Sequence, residues 1–149
     1  VLSRRQRQMC IRDRPSDASV APKLDPDINF AVKKIDGLNS SDMILDIGPV
    51  STKDLKEAIS NSKTVFWNGP PGVFEVEPFN KATIEIANHI ADLTSAGKIQ
   101  SFAGGGDTVA AIEMAGVKEK FTYISTGGGA LLELLEGKQL PGLVSQNIL

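Results

Sequence analysis

The segment Ile99-Gln100-Ser101-Phe102-Ala103-Gly104-Gly105-Gly106-Asp107-Thr108-Val109-Ala110-Ala111-Ile112-Glu113-Met114 decides how the chain is read. Ile99–Ala103 reads as a strand, and Asp107–Met114 as a helix. Three glycines join them. Strand, glycine loop and helix form the unit from which parallel α/β sheets are assembled.

The same unit recurs on either side. Upstream, Thr64–Trp67 is rich in β-branched and aromatic residues and reads as a strand. After the loop Asn68-Gly69-Pro70-Pro71-Gly72, residues Phe79, Ala82, Thr83, Ile86, Ile90 and Leu93 recur at helical spacing. Gly97 then suits a helix C-terminus. Downstream, Phe121–Ser125 reads as a strand, Gly127-Gly128-Gly129 as a loop, and Ala130–Glu136 as a helix closed by Gly137. Earlier still, the short apolar run Met43–Ile47 reads as a buried strand ending in Gly48-Pro49. Ser51 and Asp54 then resemble a capping box. Leu55, Ala58 and Ile59 give that helix a short apolar face.

This alternation predicts an α/β fold, part of a doubly wound (Rossmann-like) parallel sheet with helices on both faces. Four strands are few for such a sheet, so earlier strands are expected elsewhere.

Composition narrows the function classes. The chain has 149 residues, 41% hydrophobic and 23% charged, close to the globular norm. No apolar run approaches the roughly 18 residues of a membrane span, so no membrane partner is expected. One cysteine, Cys10, and one histidine, His89, exclude a disulfide framework and a zinc site. A net charge of -2 gives no general reason to expect nucleic acid. Residues 1–14 depart from this balance, with Arg4, Arg5, Arg7, Arg12 and Arg14 against Asp13. They have no apolar run to make a signal peptide and no aromatic residue to stack on bases. An unrelated basic extension over 1–14 is therefore expected, followed by a domain over 15–149.

Eight of the fourteen glycines fall in the three loops. Ligands of open parallel sheets bind beyond the carboxyl ends of the strands, where all three loops are predicted to lie. Glycine lets backbone approach a ligand closely, and a helix start offers unpaired N–H groups with a partial positive charge. Together these suit phosphate. Asp107 is read either as a helix N-cap or as a Mg²⁺ ligand beside phosphate. Glu75 is read either as a solvated loop charge or as an acceptor for a ribose hydroxyl. His89 lies away from every loop and is read as a packed or surface residue rather than a catalytic base, and Phe66 and Trp67 as core residues at a strand end. No G-x-x-x-x-G-K-[ST] occurs, and Val109 stands where a dinucleotide fingerprint needs its third glycine. No G-x-S-x-G elbow is present.

Five stretches together resemble the C-terminal motifs of phosphoglycerate kinase. They are Leu45-Asp46-Ile47-Gly48-Pro49; Trp67-Asn68-Gly69-Pro70 with Gly72-Val73-Phe74-Glu75; Gly104-Gly105-Gly106-Asp107-Thr108; Ser125-Thr126-Gly127-Gly128-Gly129-Ala130; and Leu132–Lys138 with Leu140-Pro141-Gly142. The resemblance runs from about Pro15 to Leu149 and covers the last third or so of a family member. It implies the nucleotide-binding C-terminal domain of a two-domain cytoplasmic, usually monomeric kinase. That enzyme moves a phosphoryl group between 1,3-bisphosphoglycerate and MgADP, giving 3-phosphoglycerate and MgATP. By the same resemblance, Glu75 would hold the ribose, and Pro70 and Val73 would line the adenine or ribose side. Asn68 would lie near the phosphates. Gly105, Gly106, Asp107 and Thr108 would hold them, with Asp107 at Mg²⁺. Gly127, Gly128 and Gly129 would face the transferred phosphoryl group, with Gly106, Gly128 and Gly129 acting through backbone N–H groups. Pro71 departs from the apolar residue more usual in the family. The family's basic phosphoglycerate site, catalytic arginine and lysines lie upstream, so the missing N-terminal domain is an implied partner and the chain alone is expected to lack turnover. The competing reading is a non-catalytic nucleotide or dinucleotide-binding module.

Overall fold

The computed structural model describes residues 13–125 and 127–139. Two three-stranded sheets organise them.

The first sheet is antiparallel and runs in the order β2-β1-β3, with β1 at Asp17–Ala21, β2 at Ala31–Lys34 and β3 at Met43–Ile47. Every residue of β1 is buried, because it lies between its two neighbours. β3 is the strand expected at these residues, but its partner is the antiparallel β1, and it is not buried throughout: Leu45 and Asp46 are buried while Met43 and Ile44 are exposed. β1 and β2 were not anticipated. Asp-Ala-Ser-Val-Ala shows no apolar alternation, and Ala-Val-Lys-Lys is mostly exposed. Pairing, rather than local pattern, makes them strands.

The second sheet is parallel, in the order β4-β5-β6: Thr64–Asn68, Gln100–Gly104 and Tyr123–Ser125. Its crossovers carry helix α2 (Lys81–Ser95) and helix α3 (Gly106–Met114). α2 and α3 are in contact, in keeping with the rule that right-handed crossovers between sequential neighbours place their helices on one face. Helix α1 (Pro49–Ser60) precedes β4 and packs against α2, while α4 (Gly128–Leu135) follows β6 and contacts β5. The chain is thus α/β, with a parallel sheet and helices as expected.

The core lies between α2 and the parallel sheet. Ile59, Trp67, Ile86, Ile90, Ile99, Ile112 and Phe121 are buried together, with Ala87 and Ala103 allowing close approach. Burying a large side chain of this kind contributes about 1.5–3 kcal/mol. The helical period read for α2 holds: Ala82, Thr83, Ile86 and Ile90 are buried and Leu93 partly so. The opposite face of the sheet carries Phe66, Phe102 and Tyr123 in register across the three strands. Phe66 is 37% and Tyr123 56% exposed. Phe66 is therefore not the core residue expected. Period-2 alternation turns it away from the face on which Trp67 packs.

Helix α1 starts earlier than expected. Gly48 is its N-cap and Pro49 its first residue, which a fixed φ favours. Ser51 lies inside the helix and its hydroxyl is tied to the start of β1. The apolar face of α1 is reduced to Ile59; Leu55 and Ala58 are exposed. The basic extension expected over 1–14 lies outside the described residues except for Asp13 and Arg14. Thr126 and Leu140–Leu149 also lie outside them.

Candidate functional site

Parallel register builds the site. Asn68, Gly104 and Ser125 end the three strands and lie side by side, paired Asn68 with Gly104 and Gly104 with Ser125. The chain after each is one of the three glycine loops. All three therefore leave the same edge of the sheet.

The loops after β4 and β5 are locked together. The Gly69 N–H donates to Thr108 Oγ1 at 2.7 Å, and the Trp67 indole N–H donates to the Gly69 carbonyl at 2.8 Å. Gly105, the N-cap of α3, has φ +99°, which side-chain-bearing residues rarely adopt. A Cβ there would also lie 2.8 Å from Asn68 Oδ1. Gly128, at the start of α4, is buried against the backbone of Gly104 and Gly105, and any side chain on it would overlap them. Two helix N-termini thus sit against each other with only backbone between them.

Asp107 lies in the first turn of α3 and is exposed. The N-cap is Gly105, without a side-chain cap, so Asp107 does not serve as the cap. Asn68 and Gly106 are exposed, whereas Thr108 is 1% exposed. Gly127 and Gly129 are exposed, and the Gly127 N–H donates to Ser125 Oγ at 3.3 Å.

Pro70, Val73 and Glu75 lie on the long loop from β4 to α2. The Val73 N–H donates to the Leu45 carbonyl of β3 at 2.8 Å, which anchors this loop to the antiparallel sheet. Phe74 turns inward and Glu75 outward. Among the described residues, no hydrogen bond joins Glu75 to the other candidates. His89 lies in α2, with Nε2 at 2.8 Å from Ser60 Oγ and 3.0 Å from the Lys56 carbonyl of α1. It is remote in role from the glycine edge. A cleft of about 590 Å³ beside α1, lined by Ile47, Leu55 and Ala58, reaches the first glycine loop only at Pro71.

Two carboxylates outside the edge complete the electrostatics, and sequence reasoning missed both as helix caps. Asp17 of β1 accepts the Val50 N–H at 3.0 Å, the Ser51 N–H at 2.8 Å and the Ser51 hydroxyl at 2.5 Å. It thereby caps α1. Asp46 of β3 accepts the Ala82 N–H at 3.0 Å and so caps α2, whose own N-cap Asn80 makes no side-chain bond. It also accepts the Ile47 N–H at 2.8 Å. Burial alone would raise Asp17, but its Ser51 and Val50 donors outweigh burial and hold it below the ordinary aspartate value. Burial dominates at Asp46 and, with Glu85 nearby, pushes it up to about 6 against the pull of its two N–H donors. No local signal marks either residue, because their partners lie more than thirty positions away.

The glycine edge can therefore present backbone N–H groups, a partial positive charge and one exposed carboxylate to a ligand. Among the described residues no group of three or more His, Cys, Asp or Glu side chains could cage a metal.

Comparison with known proteins points the same way. The family model described as phosphoglycerate kinase matches residues 2–138. The phosphoglycerate kinase of Caulobacter vibrioides is 51% identical over 131 residues, 88% of this chain and 33% of that protein. That of Rhodopseudomonas palustris is 47% identical over 143 residues, covering 96% of this chain and 36% of that protein. Among solved structures, the phosphoglycerate kinase from Coxiella burnetii superposes with a TM-score of 0.76 and 39% identity, over 83% of this chain and 31% of that one. The enzyme from Pyrococcus horikoshii OT3 gives 0.72 and 33%, over 90% and 32%. The chain spans about a third of the length of the curated relatives it matches.

Proposed function

The chain belongs to the phosphoglycerate kinase family, and from that premise we propose that residues 15–149 form part of its nucleotide-binding domain. The complete protein transfers a phosphoryl group between 1,3-bisphosphoglycerate and MgADP, giving 3-phosphoglycerate and MgATP in the cytoplasm. This chain alone binds nucleotide without turnover.

One observation carries the reading. The N-termini of α3 and α4 meet at glycine backbone on the open edge of the parallel sheet. Phosphoryl transfer needs positioning and neutralisation of charge more than covalent chemistry, and preorganised N–H groups supply both. In this reading Gly105, Gly106, Asp107 and Thr108 hold the nucleotide phosphates, with Asn68 beside them. Gly127, Gly128 and Gly129 face the transferred group, and Gly106, Gly128 and Gly129 assist it through their N–H groups. Glu75 accepts a ribose hydroxyl, and Pro70 and Val73 flank the adenosine.

A Mg²⁺ ion fits this donor set. Asp107 is exposed at the start of α3, and Mg²⁺ is commonly bound through one or two carboxylates together with substrate phosphates rather than in an all-protein cage. Asp107 would hold such an ion beside the phosphates, where it would supply positive charge against theirs.

The row of exposed Phe66, half-buried Phe102 and exposed Tyr123 supports a partner segment within the longer protein, since a doubly wound sheet covers both faces. The other two thirds of the protein supplies that segment and the phosphoglycerate-binding domain.

The test is thermal unfolding of the chain with and without MgADP, followed by Trp67 fluorescence. A transition raised by MgADP supports the reading, because a ligand bound only by the native state must stabilise it. A cooperative transition indifferent to MgADP overturns it. Selective stabilisation by NAD would favour the alternative dinucleotide-binding module. ATP formation from 1,3-bisphosphoglycerate and MgADP by the purified chain would overturn the predicted lack of turnover.

A further inference from the structure

We infer that Trp67 and Thr108 are positioning residues that act through Gly69 to set the first glycine loop against the start of α3; the inference rests on the nucleotide-binding reading above. Gly69 is held at both ends of its backbone. Its N–H donates to Thr108 Oγ1 at 2.7 Å, and its carbonyl accepts the Trp67 indole N–H at 2.8 Å. The two clamping side chains are 8% and 1% exposed, so both bonds are shielded on the side-chain flank although Gly69 itself is exposed. Gly69 has φ +91°, and its conformation is the one the clamp must hold.

The clamp has a consequence for its neighbours. Asn68 immediately precedes Gly69, and its Oδ1 lies 2.8 Å from where a Gly105 Cβ would stand. Thr108 Oγ1 lies 3.5 Å from the same point. One hydroxyl thus fixes the spacing between the Asn68 amide and the N-terminus of α3. A ligand that touches both surfaces binds to a preformed pair rather than paying to assemble it. Thr108 fills this role with its side chain buried, so the hydroxyl's contribution to affinity runs through Gly69, while the Thr108 N–H in the first turn of α3 is left to hold phosphate.

The experiment uses the full 149-residue chain, ¹⁵N-labelled, and MgADP as the probe. Amide exchange at Gly69 is read without ligand, and MgADP affinity by calorimetry, for wild type, Thr108→Val, Thr108→Ser and Trp67→Phe. We expect T108V to speed Gly69 exchange and weaken MgADP about five- to tenfold, the scale of one lost buried hydrogen bond. T108S restores both, and W67F weakens MgADP in the same direction. Weaker MgADP in T108V with unchanged Gly69 exchange assigns the Thr108 hydroxyl to direct phosphate contact and overturns the clamp. Faster exchange with unchanged affinity makes the bond purely structural and overturns it as well. Failure of T108S to restore binding is a third negative result. A folded wild-type chain that does not bind MgADP overturns the functional reading itself and the positioning role with it, whereas wild-type binding that both substitutions leave intact overturns only the clamp.

Discussion

The helices of this chain start in two different ways. α1 and α2 begin against the antiparallel sheet, where buried carboxylates from Asp17 and Asp46 accept their first N–H groups. α3 and α4 begin on the edge of the parallel sheet, where glycine backbone stands in place of a carboxylate. Each helix start offers the same partial positive charge. In the first pair it is neutralised from inside the protein. In the second it faces outward, available to an anion. On the proposed function, the antiparallel sheet serves the fold and the parallel edge serves the ligand, though both use one property of the helix.

The two carboxylates differ as well. Asp17 has three donors and lies below the ordinary aspartate value; Asp46 has two, sits in a drier place beside Glu85, and is raised to about 6. Donor number against desolvation decides the direction.

The largest effect is expected at the internal plug. Asp17→Ala strands the Val50 and Ser51 N–H groups at the α1–β1 junction and should cost about 3 kcal/mol in denaturant unfolding, as breaking a buried charged network does. A loss below about 1 kcal/mol would mean that water satisfies those groups equally well. At the open edge, Gly105→Ala forces a side chain onto Asn68 in a backbone conformation it resists. It should cost about 1–3 kcal/mol and abolish stabilisation by MgADP. If stability falls but the MgADP shift survives, the edge is not the anion site.

Asp46→Asn probes the other plug. A carboxyl raised in the folded state contributes stability that is fully present below its unfolded value and lost as pH rises through about 6. Wild-type stability should therefore decline between about pH 4 and 7, while D46N flattens that decline and gains on the order of 2 kcal/mol at pH 8. Asp17 works in the opposite sense. Its contribution is present above the unfolded value and is lost as pH falls below it. Urea titrations at several pH values separate the two. The smallest effect is expected at Thr83, in the first turn of α2, whose buried hydroxyl has no partner among the described residues. Thr83→Val should raise stability by about 0.5–1 kcal/mol without altering MgADP binding. Destabilisation instead would reveal a hidden partner.

Much of the parallel half was legible residue by residue. Trp67, Ala103 and Ile124 read as strand residues from their apolar runs, and Ile86 and Ile90 as a helix face from their spacing. Gly97 and Gly137 marked helix ends and do adopt positive φ. These signals span a few residues, which is the range over which local backbone preference acts. β1 was invisible because nothing within Asp17–Ala21 distinguishes a central strand from a loop. Ser51 misled for a related reason. Its spacing to Asp54 suggested a local capping box, but its hydroxyl is taken by a strand thirty-four residues earlier.

By itself, then, the order of residues determined the α/β class, the elements of the parallel sheet, and the placing of three glycine loops after three strands. Each depends on periodicity or on glycine's own freedom, and both travel with the sequence. The tertiary structure alone decided that the loops meet backbone to backbone at Gly105 and Gly128, and that Thr108 fastens Gly69. It also decided that Asp17 and Asp46 close two helices while two others stay open. Those outcomes depend on which groups satisfy one another across long stretches of chain, and that is settled only when the polar atoms buried by folding find their partners.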